Sequence, residues 1–77
     1  MIVLRGKKYE MRTLEPDDVK VGALVRFANG TTSRRIIGFD GADIILRGIV
    51  SEDVLEAVDK DTLLEQWVLM EPVAEAS

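Results

Sequence analysis

A mainly β fold, organised around an antiparallel three-stranded meander, is what this sequence predicts, on three observations. Three runs rich in β-forming residues follow one another: Ala-Leu-Val-Arg-Phe-Ala from Ala23, Arg-Arg-Ile-Ile-Gly-Phe from Arg34, and Ala-Asp-Ile-Ile-Leu-Arg-Gly-Ile-Val from Ala42. The first two are separated by Asn29-Gly30 and the last two by Asp40-Gly41. These dipeptides readily adopt positive φ in tight hairpin turns. The chain has 77 residues, which bounds it to one domain, and a domain of that size buries only ~60% of the surface its unfolded chain exposes.

Residues 2–4 and 8–14 alternate enough to form an N-terminal hairpin around Arg5-Gly6-Lys7, with Ile2 and Leu4 on one face and Tyr9, Met11 and Thr13 on another. Leu14-Glu15-Pro16-Asp17-Asp18 then breaks the strand, because proline forces its neighbour out of helical space and the acidic pair favours a turn. A two-residue loop at Asp40-Gly41 would set Ile37 opposite Ile44, Ile36 opposite Ile45, Phe39 opposite Ala42 and Arg34 opposite Arg47. Ile37, Ile44 and Phe39 would face the core. The same loop at Asn29-Gly30 would place Val25 opposite Arg34, so a connection of four or more residues is expected there, with Val25 opposite Ile36 or Ile37.

Residues 51–70 admit two readings. In one, Ser51 caps a single helix whose apolar stripe is interrupted by Asp59-Lys60-Asp61-Thr62. That would give an α+β protein, a meander with a packed C-terminal helix. In the preferred reading Asp53 to Val58 is a strand, Asp61 or Thr62 caps one helical turn with Glu65 reaching back to Thr62, and Trp67 to Met70 is a last strand stopped by Glu71-Pro72.

With that ending, the order is three meander strands, a fourth strand, a helical turn and a short last strand. It resembles the SH3-like small barrels, the group that includes Tudor and KOW modules. Val19-Lys20-Val21-Gly22-Ala23-Leu24-Val25 looks like their opening strand, and Asp61-Thr62-Leu63-Leu64-Glu65-Gln66 sits where their short helical turn falls. The likeness covers residues 19–72 and is architectural. It implies a small antiparallel barrel and transfers no site: Tudor modules bind methylated side chains in an aromatic cage, and Tyr9, Phe27, Phe39 and Trp67 do not cluster in sequence. The expected organisation is a single domain over 1–72, with the hairpin at 1–14, the barrel at 19–72 and a frayed tail at 73–77.

Composition narrows the chemistry. The chain has no cysteine and no histidine. It therefore lacks the strongest nucleophile, the commonest general base and any thiolate or imidazole metal ligand. Asp17-Asp18, Glu52-Asp53 and the Asp59/Asp61 pair read as turn and cap residues. Asp59-Lys-Asp61-Thr-Leu-Leu-Glu65 fails as a calcium loop, with Leu64 where glycine is required. No catalytic residue, cofactor or metal is expected. No apolar run nears the ~20 residues of a membrane span, and the lack of cysteine fits a reducing compartment, so a cytoplasmic location is expected.

Charge is unevenly spread. Net charge is −4, yet residues 1–47 carry nine basic and six acidic side chains, and residues 48–77 carry one basic and eight acidic. Either the halves attract each other as the chain closes, or the basic half is a binding face. The candidate partner-binding residues are Arg34, Ile36, Ile45, Arg47 and Trp67. The first four would share a sheet face with arginine at its edge and isoleucine at its centre, a composition typical of interfaces; Trp67 would anchor a partner if exposed. The expected function is a non-catalytic binding module for a protein partner or a second copy of itself, of a kind that suits a phage or mobile-element accessory protein. The alternative is nucleic-acid binding through Arg5, Lys7, Lys8, Arg12, Arg34, Arg35 and Arg47.

Overall fold

The computed structural model describes residues 2–73. Seven strands form: β1 (Ile2–Leu4), β2 (Lys7–Thr13), β3 (Leu24–Phe27), β4 (Ser33–Asp40), β5 (Asp43–Gly48), β6 (Leu55–Asp59) and β7 (Trp67–Pro72). A single 3₁₀ turn, Pro16–Asp18, lies between β2 and β3, and helix α1 (Lys60–Gln66) lies between β6 and β7. The strands make one curled antiparallel sheet in the order β1-β2-β7-β3-β4-β5-β6, a half-barrel whose edges are β1 and β6. The mainly β class and the strand–helix–strand ending of residues 51–70 are therefore as the sequence predicts.

The main core covers one face of this sheet. Val25 pairs with Leu69, and Ile36 with Leu46. These residues, with Ile44 and Trp67 beside them and Leu14 and Leu63 from the connections, are all buried. Leu63 reaches the core because α1 is well started: the Asp59 carboxylate accepts hydrogen bonds from the Thr62 backbone N–H (3.1 Å) and hydroxyl (2.6 Å). The cap is thus Asp59, rather than Asp61 or Thr62, and the helix runs for seven residues instead of one turn.

Two register expectations are corrected. Gly41 takes φ +61 as the first residue of a Gly41-Ala42 loop closed by Asp40 and Asp43. A glycine at the first loop position makes a II′-type turn, whereas the expected Asp40-Gly41 loop required positive φ at both positions. Pairing therefore slips by two residues, and Phe39 meets Ile44. A bulge at Ile37 then takes one residue back, so that Ile36 meets Leu46 and Arg35 meets Arg47. On the Arg34–Ile36 side of the bulge, this net slip of one residue exchanges the faces of β4; beyond it Phe39 keeps the face of Ile44 but is 53% exposed instead of entering the core. Ile36 is fully buried and Ile37 is 39% exposed, the reverse of the expectation.

At the other meander turn five residues, 28–32, connect the strands, within the expected four or more, and the Phe27 N–H donates to the Thr32 carbonyl. Yet Val25 does pair with Arg34. The objection to a cation beside the core is met by Glu56: Arg34 Nε donates to its carboxylate at 2.9 Å. The bridge keeps the guanidinium paired at the margin of the apolar face.

The N-terminal hairpin is present. Arg5 and Gly6 both take positive φ (50° and 79°) in a two-residue turn closed by Leu4 and Lys7. Because Ile2 pairs with Tyr9, Ile2, Leu4, Tyr9 and Met11 share one face instead of two. Among the described residues, three ion pairs join the basic half to the acidic half: Arg5–Glu52 (3.8 Å), Arg12–Glu71 (2.9 Å) and Arg34–Glu56 (2.9 Å). The Val73 N–H donates to the Lys8 carbonyl; the rest of the expected frayed tail lies outside the described residues. Among those residues, no helix is long and apolar enough to cross a membrane.

Candidate functional site

The sheet face opposite the main core buries Met70 and Tyr9 and carries two opposed cations. Arg35 and Arg47 stand directly across from each other on β4 and β5, with Leu24 on the far side of Arg35 and Leu55 on the far side of Arg47. Like charges at directly opposed positions are unfavourable to the sheet. At one end of this face the β1–β2 turn brings up Arg5 and Lys7, and the four cations border a cleft of about 260 Å³. Its apolar wall is Leu4, Tyr9, Ile37 and Ile49, of which Tyr9 and Ile49 are buried.

A tight crossing of the backbone holds the far wall. The Gly48 N–H donates to the Val54 carbonyl and the Val54 N–H to the Ser51 carbonyl, so the loop folds back over Gly48. A Cβ at position 48 would collide with the Ser51 carbonyl oxygen. That approach sets the position of Glu52, the one carboxylate bordering the cleft. Arg47 Nε donates to its backbone carbonyl at 2.6 Å. The Glu52 carboxylate stands 3.8 Å from Arg5, with both side chains more than half exposed. Among the described residues, Lys7 and Arg35 have no ion-pair partner. The cleft is thus electropositive in a chain of net charge −4.

Arg12 and Arg34 are engaged elsewhere. Arg12 donates to Asp18 (3.1 Å) and Glu71 (2.9 Å). The Asp18 carboxyl is held below its ordinary range, first by the Glu15 backbone N–H and then by Arg12, and the Arg12 guanidinium is raised by its bonds to Asp18 and then Glu71. Arg34 is bound to Glu56. Lys8 alternates with Lys7 and Tyr9 and so points to the opposite face of β2.

Of the five residues nominated from sequence, Ile45 and Arg47 share the cleft-bearing face. Arg34 and Ile36 lie on the core face, where Ile36 is fully buried. Trp67 is 6% exposed and packs edge-on against Phe27, with ring centroids 5.4 Å apart; it is a core residue. The expected arginine pair exists with Arg35 in place of Arg34. Sequence reasoning missed Leu4, Tyr9, Ile37 and Ile49. The usable signal for the first two was Arg5-Gly6, a turn whose flanking residues must share a face.

No group of three or more carboxylate, cysteine or histidine side chains gathers closely enough to hold a metal among the described residues. Comparison with protein-family models, with curated proteins and with solved structures found no match.

Proposed function

We propose that this protein is a non-catalytic small-barrel module that binds a protein partner through the face carrying Arg35 and Arg47. The observation that carries the reading is the placement of those two arginines. They oppose each other, contribute nothing to the buried core and adjoin a cleft with two further cations. Arg35 makes no ion pair among the described residues and Arg47 bonds only the Glu52 backbone carbonyl, and arginine beside apolar and aromatic surface is a common composition of interfaces. Membership of the SH3-like group is part of the proposal. It is supported by the order of three meander strands, a fourth strand, a short helix and a last strand. A cytoplasmic location fits a chain without cysteine.

Nucleic-acid binding draws on the same four cations and is the second reading. Two features weigh against it. Net charge is −4, and the rings that could stack on bases are largely enclosed: Tyr9 and Trp67 are buried. Phe39 is exposed but does not border the cleft.

The test compares the wild-type protein with an Arg35→Glu, Arg47→Glu double variant as immobilised baits in lysate, with circular dichroism to show that both are folded. A protein retained by the wild type and lost from the variant supports the reading. Equal retention by both, or retention of nucleic acid that disappears steeply with added salt, overturns it.

A further inference from the structure

We infer that the cleft receives one apolar side chain of a partner segment whose neighbouring residues are acidic. This rests on the proposed binding function and names its ligand. Three observations converge. The volume, about 260 Å³, lies just below the ~300 Å³ at which pockets begin to enclose drug-sized molecules. It is enough for one side chain of leucine or methionine size. The wall against which that side chain would rest is apolar, from Leu4, Tyr9, Ile37 and Ile49, so its burial would be favourable at about 25 cal/mol per Å² of apolar surface. The rim is cationic, and its residues come from two separate elements: Arg5 and Lys7 from the hairpin, Arg35 and Arg47 from the meander. A segment seated in the cleft would therefore meet positive charge from both elements around the inserted side chain.

Glu52 shows what such a partner must displace. Its carboxylate is the internal counter-charge of the rim, held by Arg5 at 3.8 Å with both groups largely in water. An exposed pair of this kind is weak, so an incoming carboxylate can replace it at little cost. The backbone carbonyl of Glu52 stays on Arg47, and the cleft wall is kept while the side chain swings away.

Fluorescence anisotropy and amide chemical-shift mapping on the full chain test this with synthetic peptides. One carries leucine between aspartate and glutamate residues, one has glycine in place of the leucine, and one has the acids replaced by asparagine and glutamine. An oligothymidine strand is the fourth probe. The leucine–acid peptide is expected to bind, to shift the amides of Leu4, Tyr9 and Gly48, and to lose at least tenfold in affinity on either replacement. Lys7→Glu and Arg35→Glu should each weaken it tenfold or more, and Glu52→Gln should strengthen it. Absence of binding at millimolar peptide overturns the inference, as does indifference to the central leucine or tighter binding of the oligonucleotide. If retention of a lysate protein depends on Arg35 and Arg47 while no peptide binds, the partner-binding face stands and the ligand named here does not.

Discussion

The two faces of strand β4 lie within a few ångströms of each other and answer to different demands. On one, Ile36 is fully buried against Leu46, and Arg34, at the margin, is neutralised by Glu56. On the other, Arg35 faces Arg47 and Ile37 is 39% exposed. Before the bulge the first face meets what folding rewards, with Ile36 enclosed and the adjacent charge paired, while beyond it Phe39 is 53% exposed. The second leaves apolar surface in water and like charges opposed. The difference teaches where stability resides and where surface is left available to a ligand.

Alanine at the two neighbouring isoleucines is the strongest way to break this contrast. Ile36→Ala should cost about 2–5 kcal/mol through lost burial and a residual cavity, while Ile37→Ala should cost less than about 1 kcal/mol. Urea unfolding of both variants checks the pair, and equal losses would mean that the bulge does not divide the faces. Arg34→Ala comes next. It leaves Glu56 without its partner, and at the partial exposure of this bridge the loss should be about 1 kcal/mol. Arg35→Ala, one residue away, should show no such loss.

Arg5→Asn works in the opposite direction. Arg5 holds φ at 50° in the hairpin turn, a conformation asparagine adopts more easily, so thermal stability should rise by up to about 1 kcal/mol. Because the same change removes a rim cation, affinity for an anionic ligand should fall, a stability–function trade-off measurable on one sample. The smallest effect is that of acid. The Asp59 carboxyl is held below its ordinary range, first by the Thr62 hydroxyl and then by the Thr62 N–H. Its contribution is fully present above the unfolded carboxylate value of about 3.9 and is lost as pH falls through the lower folded value. Lowering the pH from neutral to 3 should therefore destabilise the wild type slightly more than Asp59→Asn, which keeps a cap acceptor without titrating.

Much of the fold was legible in local chemistry. The hairpin at Arg5-Gly6, the meander and the strand–helix–strand ending follow from turn residues, β-forming runs and the polar gap at Asp59-Lys60-Asp61-Thr62. Register was not legible, for two physical reasons. A single glycine serves a II′-type turn at its first position as well as a turn needing two positive φ values, and Gly41 takes the former. The bulge at Ile37 leaves no mark in a run where Arg34-Arg35 is followed by Ile36-Ile37: each pair offers the same residue type to both faces. A slip of one residue therefore preserved the pattern on paper while exchanging Arg34 for Arg35 and Ile36 for Ile37. The cleft was further from view because it needs the hairpin, the meander and the loop after Gly48 together, and no local signal relates the three.

The central claim is that Arg35 on the second face is not held there by folding. The unfolding free energy of Arg35→Thr measures this directly, since threonine suits a strand and carries no charge. Relief of the opposed charges predicts stability unchanged or raised by a few tenths of a kcal/mol. A loss of more than about 1 kcal/mol, outside the range of an ordinary surface substitution, would show that Arg35 supports the fold and would contradict the account.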